Sequence, residues 1–269
     1  MRYCGIAVGA ELQQLCCLEE TRSEEPPIRL RATFYEPGSP AEVVEELEAL
    51  GDITVAIGAP QGGPVDGREV RACDAALRRR GVTPRAPLES GFALFDALED
   101  LGLYVPDVPT DAPVGPEGEQ EGLVEDGIFR EAGVFEVNVD AVFCALQGRR
   151  VPARRHPLGV LTRIDELTED RVEDSGGDLW SRRIEEIEAA AAALCAHRYA
   201  VGHAAWLGDP EEGVIVMPGS HPPQVFSSEG VIPRVPRARL GARRAVEASA
   251  PQVEASAPQA EAAGPSAPE

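Results

Sequence analysis

The chain of 269 residues carries 46 acidic and 25 basic side chains, a formal net charge of −21. From residue 220 onward five Arg and five Glu cancel, so the whole excess, 41 acids against 20 bases, lies before it. Such a domain repels a phosphate backbone and disfavours a nucleic-acid partner, and no apolar run is long enough to cross a membrane.

The elements can be read in chain order. Residues 2–9, 12–19 and 28–35 are strand-like, the first two joined by a very short turn at Gly9-Ala10-Glu11 into an antiparallel hairpin. Glu11, Gln13 and Gln14 also interrupt the only apolar stretch near the start, so no signal peptide is expected and the protein is predicted to be cytoplasmic. A helix follows with clear punctuation: Ser39 as N-cap, Pro40 in the first turn, Glu42 closing a capping box, and Gly51 as the stop. Residues 53–58 form a buried strand running into a Gly-Ala-Pro turn. A second helix within "REVRACDAALRRRG" ends at Gly81, and a third spans about 91–102. Residues 103–133, rich in Pro, Gly, Asp and Glu, read as an acidic surface insertion. A short strand at 133–138 then leads into the helices "DAVFCALQG" and "PLGVLTRIDELTE". The longest helix is expected within 180–206, and a last strand, "GVIVMP", closes a domain of residues 1–218.

Residues 219–269 read as a disordered tail: the heptad "VEASAPQ" occurs twice in succession, at 246–252 and 253–259, after a basic stretch at 234–244. That stretch has no interleaved aromatic residue for base stacking. Six cysteines (4, 16, 17, 73, 144 and 195) show no C-x-x-C spacing and are expected as reduced core residues, with neither disulfide nor zinc. Three strands, a helix, a strand, helices, a strand and helices describe an α/β fold with a mixed sheet and flanking helices. The ribonuclease H-like arrangement has this order; no G-x-G-x-x-G follows the first strand to favour a Rossmann-like sheet.

Four stretches, in order, carry a resemblance: "YCGIAVGA"; "VAIGAPQGGP" with "REVRACDAALRRRG"; "FEVNVDAVFCALQG" with "GVLTRIDEL"; and "EEIEAAAAALCAHRYAVG" with "LGDPEEGVIVMP". Over residues 2 to about 218 the chain resembles the domain of unknown function 429 family, described as predicted nucleases of ribonuclease H fold. The resemblance implies carboxylates on the first strand, a later strand and the last helix holding two divalent cations, Mg or Mn, that activate water against a phosphodiester. The chain departs from that pattern. Ala7 and Gly58 stand at two acidic positions, Val139 replaces a proline, and Glu136, Glu185 and Glu188 remain as metal ligands, with Glu136 and Glu188 as the catalytic pair.

Each of these residues has a simpler reading as well. Glu136, between Phe135 and Val137, is either a ligand or a strand-end Glu bonded to an Arg. Glu185 and Glu188 also fit a solvated helix face with i,i+4 charge pairs. Arg71, Asp74 and Arg78, at i, i+3 and i+7, form either a structural Arg–Asp–Arg ladder or a clamp for a bound phosphate or carboxylate. His197 and His203 have no paired-ligand spacing and read as packing or surface residues, and no Ser or Cys has a His–acid partner pattern. The expected function is a divergent predicted-nuclease protein with a degenerate metal site, inactive or weak, retaining a binding role. The alternatives are an active metal-dependent phosphodiesterase, drawing a further acid from Asp74 or Glu11, and an acidic protein-interaction module with a partner the sequence does not name.

Overall fold

The computed structural model describes residues 1–21, 28–65, 67–103, 114–115, 118–124, 133–220 and 223–229. Much of the 103–133 insertion, and the tail from 230 with its basic stretch and repeats, lie outside the described residues. Within them the chain is mixed α/β, a nine-stranded mixed sheet with six helices.

The predicted hairpin forms from β1 (Arg2–Val8) and β2 (Gln13–Thr21), and β3 (Arg29–Phe34) extends it antiparallel. Helix α1 (Pro40–Leu50) starts as its sequence dictates, with Ser39 and Glu42 forming a complete capping box. It returns the chain to β4 (Ile53–Ile57), which pairs parallel with β1, and β6 (Val134–Glu136) adds parallel to β4. The remaining strands are β5 (Gln120–Leu123), β7 (Val172–Asp174), β8 (Ala204–Asp209) and β9 (Gly213–Pro218). The full order is β5-β8-β9-β6-β4-β1-β2-β3-β7. Strand β5 arises inside the expected insertion, β7 follows α5 (Pro157–Glu169), and β8 takes residues expected to finish the long helix.

The sheet is covered on both faces. Helices α1 and α3 (Glu89–Asp100) pack on one face against Cys4, Ile6, Cys17, Val55 and Ile57. On that face, farther along, α2 (Ala72–Arg79) covers Leu207, Ile215 and Met217. The opposite face carries α6 (Ile184–Ala200), backed by α4 (Val139–Gln147) and α5. Helix α6 is buried almost all round, which corrects the expectation of a solvated face for Glu188. Its Ala189–Ala193 run removes side-chain bulk, and Gly5 on β1 removes the rest: a Cβ at Gly5 would fall 2.1 Å from the Ala193 N and 2.2 Å from the Ala189 O. The helix backbone thus lies directly on the strand, which only glycine permits.

Two further expectations are corrected. Cys4 and Cys17 are joined by a disulfide, because the hairpin register sets them directly opposite each other; Cys16, Cys73, Cys144 and Cys195 are free and buried. Beyond residue 218 the chain still contributes to the core through Phe226, which is buried with Leu77 and Met217, while its backbone N–H donates to the Arg80 carbonyl.

Candidate functional site

The C-terminal ends of β1, β4 and β6 lie side by side, because the three strands run parallel. Ala7 and Gly58 therefore sit next to each other, with the Gly58 N–H donating to the Ile6 carbonyl at 2.8 Å. Neither position has room to spare. Ala7 is buried, and a Cβ on Gly58 would stand 3.0 Å from the Ile6 oxygen and 3.2 Å from Val139 Cγ2.

Alternation along β6 decides where Glu136 points. Phe135 packs with α6, so Val134 and Glu136 face the other way, toward α1, α3 and α2. There Arg71, at the start of α2, meets Glu136 in a bidentate pair, with Nη1 to Oε2 and Nη2 to Oε1 both 2.7 Å. The Gln61 backbone N–H donates to Oε2 at 2.7 Å. Arg71 also donates through Nε and Nη2 to Asp74, at 3.0 and 3.1 Å. Both members of the pair are 2% exposed.

Burial pushes the Glu136 carboxyl upward and Arg71 pulls it back; burial would lower Arg71, but Glu136 and Asp74 outweigh it and hold the guanidinium above its usual range. All three groups bonded to Glu136 are N–H donors, and a protonated carboxyl would waste one of them, so the geometry accommodates the ionised pair. Of the two readings of Glu136, the arginine-bonded one matches this geometry. Arg71 and Asp74 make the ladder, while Arg78 is exposed and outside it. With four of its N–H bonds committed, Arg71 has little left to offer an external phosphate.

Glu188 lies on the other face, on α6. It is 1% exposed and accepts from Arg85 Nη2 at 2.8 Å, while Arg154 Nε stands 2.8 Å from its other oxygen as an ion pair outside hydrogen-bonding alignment. Arg154 also donates to Glu185 at 3.0 Å, and Glu185 is an exposed first-turn residue. Arg85 belongs to the loop between α2 and α3, which is tied down where Asn138 Nδ2 donates to the Thr83 carbonyl. Asn138 caps α4, whose first residue, Val139, covers Gly58. Ala7, Gly58 and Glu188 thus all lie on the α6 face of the sheet. Glu136 does not join them, because the sheet lies between.

The loop from Gly58 to Arg71 is pinned by a residue that sequence reasoning missed. Glu212, in the turn before β9, is buried and accepts from the Val65 N–H at 3.1 Å and the Ala72 N–H at 2.6 Å. The second of these places negative charge at the start of α2, where the helix dipole favours it. Arg68 reaches both Glu212 and Asp209. The "LGDPEEG" turn held the signal, an acid between two strands in a motif already singled out. Arg85 and Arg154 had none, being loop arginines beside prolines without periodicity.

Elsewhere, His197 is buried edge-on to Tyr3 with Nε2 3.1 Å from Glu20, a packing role. Burial raises the Cys73 thiol far above its usual range beside Glu136. The residues do not fit a pair of divalent cations. Two positions lack ligand atoms, the three surviving carboxylates are divided between the faces, and all three are paired with guanidinium groups. Among the described residues no three His, Cys, Asp or Glu side chains gather as a metal-binding group. Also among the described residues, no helix is long and apolar enough to cross a membrane. No protein family, no curated protein and no solved structure matches the chain.

Proposed function

We propose that the chain is a divergent, non-hydrolysing relative of the predicted nucleases of ribonuclease H-like fold, in which arginines have replaced metal ions as the partners of the remaining carboxylates. The fold reading is supported by the antiparallel β1–β2–β3 set followed by parallel β4 and β6 on the other flank of β1. The loss of hydrolysis rests on one observation above the others: both oxygens of the fully enclosed Glu136 are taken by Arg71. A buried carboxylate that already accepts from a bidentate guanidinium and from the Gln61 N–H has most of its lone-pair sites taken, and displacing the arginine would strand a buried charge. Ala7 and Gly58 supply no oxygen in its place, so water activation by two ions has no ligand set. What remains is a rigid, acidic α/β scaffold suited to binding, and its charge disfavours nucleic acid as the ligand.

The test is a cleavage assay on single-stranded, duplex and branched DNA and RNA with Mg²⁺ or Mn²⁺, natural protein beside Glu188→Gln. Equal background from both is expected. Metal-dependent cleavage that disappears in Glu188→Gln would restore the phosphodiesterase reading.

A further inference from the structure

The central hairpin carries a feature that the candidate site does not use. Cys4 and Cys17 face α1, and their side chains lie in one cluster with Val43, Leu47 and Val55. They are 0% and 2% exposed. A thiolate cleaves a disulfide by approaching one sulfur in line with the S–S bond, so access to that line governs the rate.

No internal thiol offers a route either. Cys16 is adjacent in sequence but points to the opposite face, into the cluster under α6. Cys73 and Cys144 belong to the separate cluster under α2. Burial pushes the Cys144 thiol up to about 11 and raises the other three as well, which leaves little thiolate near neutral pH.

We propose that the Cys4–Cys17 bond is a sealed cross-link, closed during folding and thereafter open to exchange only when the α1 layer lifts from the sheet. Its formation balances against a small-molecule disulfide such as oxidised glutathione. The Cys4 thiolate attacks that disulfide and expels one thiol, and the Cys17 thiolate then attacks the Cys4 sulfur and expels the second. Two electrons pass to the external disulfide, and the two cysteine protons end on the two thiols released. The reverse reaction needs an external thiolate at a sulfur atom that the packed α1 face covers. Such a protein keeps its cross-link in thiol-rich surroundings for as long as it stays folded.

Intact-mass analysis of the full chain tests this. After denaturation without reductant, iodoacetamide should add four carbamidomethyl groups, one for each free cysteine. Six would show the pair to be free thiols and overturn the proposal. Native protein held in excess dithiothreitol, then denatured and alkylated, should still take up four, and six only in denaturant that unfolds it. Rapid uptake of six without denaturant would overturn the sealing. The cysteines are 13 residues apart, so the variant Cys4→Ala/Cys17→Ala should raise the unfolding equilibrium constant by about a hundredfold through lost loop constraint; an unchanged constant would also count against the bond.

Discussion

Replacing Arg71 by Met removes the guanidinium while keeping most of the side-chain volume. It leaves Glu136 enclosed, with the Gln61 N–H as its remaining hydrogen-bond donor. Removing one member of a buried ion pair typically costs about 3–5 kcal/mol. Asp74, the other partner of Arg71, is partly exposed and can rehydrate, so the lower part of that range, about 3 kcal/mol, is expected here. For a domain of this size that corresponds to a fall in Tm on the order of 10 °C. The loss should depend on pH in a defined direction. Without Arg71 the folded-state pKa of Glu136 rises further above its unfolded value, so the deficit is largest above that raised pKa. As pH falls through it the folded state takes up the proton and the deficit shrinks, by about 1.4 kcal/mol per unit. Urea unfolding followed by circular dichroism at pH 8 and pH 5 measures both effects, provided the slope with denaturant is unchanged. The double variant Arg71→Met/Glu136→Leu, which removes both charges, should recover most of the loss. A single-variant loss below about 1 kcal/mol, or a double variant no better than the single, would refute the buried-pair reasoning.

The other expectations concern the frame around the site. Burial alone would raise Asp174, but Arg182 and the Gly176 and Gly177 N–H groups outweigh it and hold the carboxyl below its usual range. Its stabilisation is therefore present above the unfolded carboxylate pKa and lost as pH falls through the lower folded value, so Asp174→Asn should flatten the acid limb of a stability–pH curve; an unchanged limb would contradict this. Gly5→Ala forces a Cβ into the α6 backbone and should cost at least about 3 kcal/mol or prevent folding, whereas soluble expression with natural stability would show that the helix does not rest on β1. Phe226→Ala should cost about 3–5 kcal/mol, and truncation after Glu229 far less than truncation after Gly219. Equal midpoints for the two truncations would remove 223–229 from the domain.

What the sequence showed depended on the range of the interaction. The start of α1 was legible because Ser39, Pro40 and Glu42 act within one helical turn. The β1–β2 hairpin was legible for the same reason, with its partners joined by a tight turn. Strand β8 was missed because its Ala-Ala-Trp opening continues the alanine-rich helix in composition; the break is Gly202 with φ +74°. Strands β5 and β7 are short edges with weak patterns. The burial of Glu188 could not be read from "RRIEEIEAA", because Gly5 and the loop arginines that enclose it are distant in sequence. Glu136 stands out in the sequence with two readings, and only the placement of α2 beside β6 decides between them. The Cys4–Cys17 bond likewise depends on register, which spacing alone does not give.

The decisive measurement is a Mn²⁺ titration of the purified natural protein, with electron paramagnetic resonance counting free ions and Glu188→Gln and Glu136→Gln run beside it. With guanidinium groups holding both carboxylates, no saturable site should appear below the millimolar range expected of scattered surface acids. A tight site lost in either variant would mean that cations, rather than Arg71, Arg85 and Arg154, are the partners of these carboxylates.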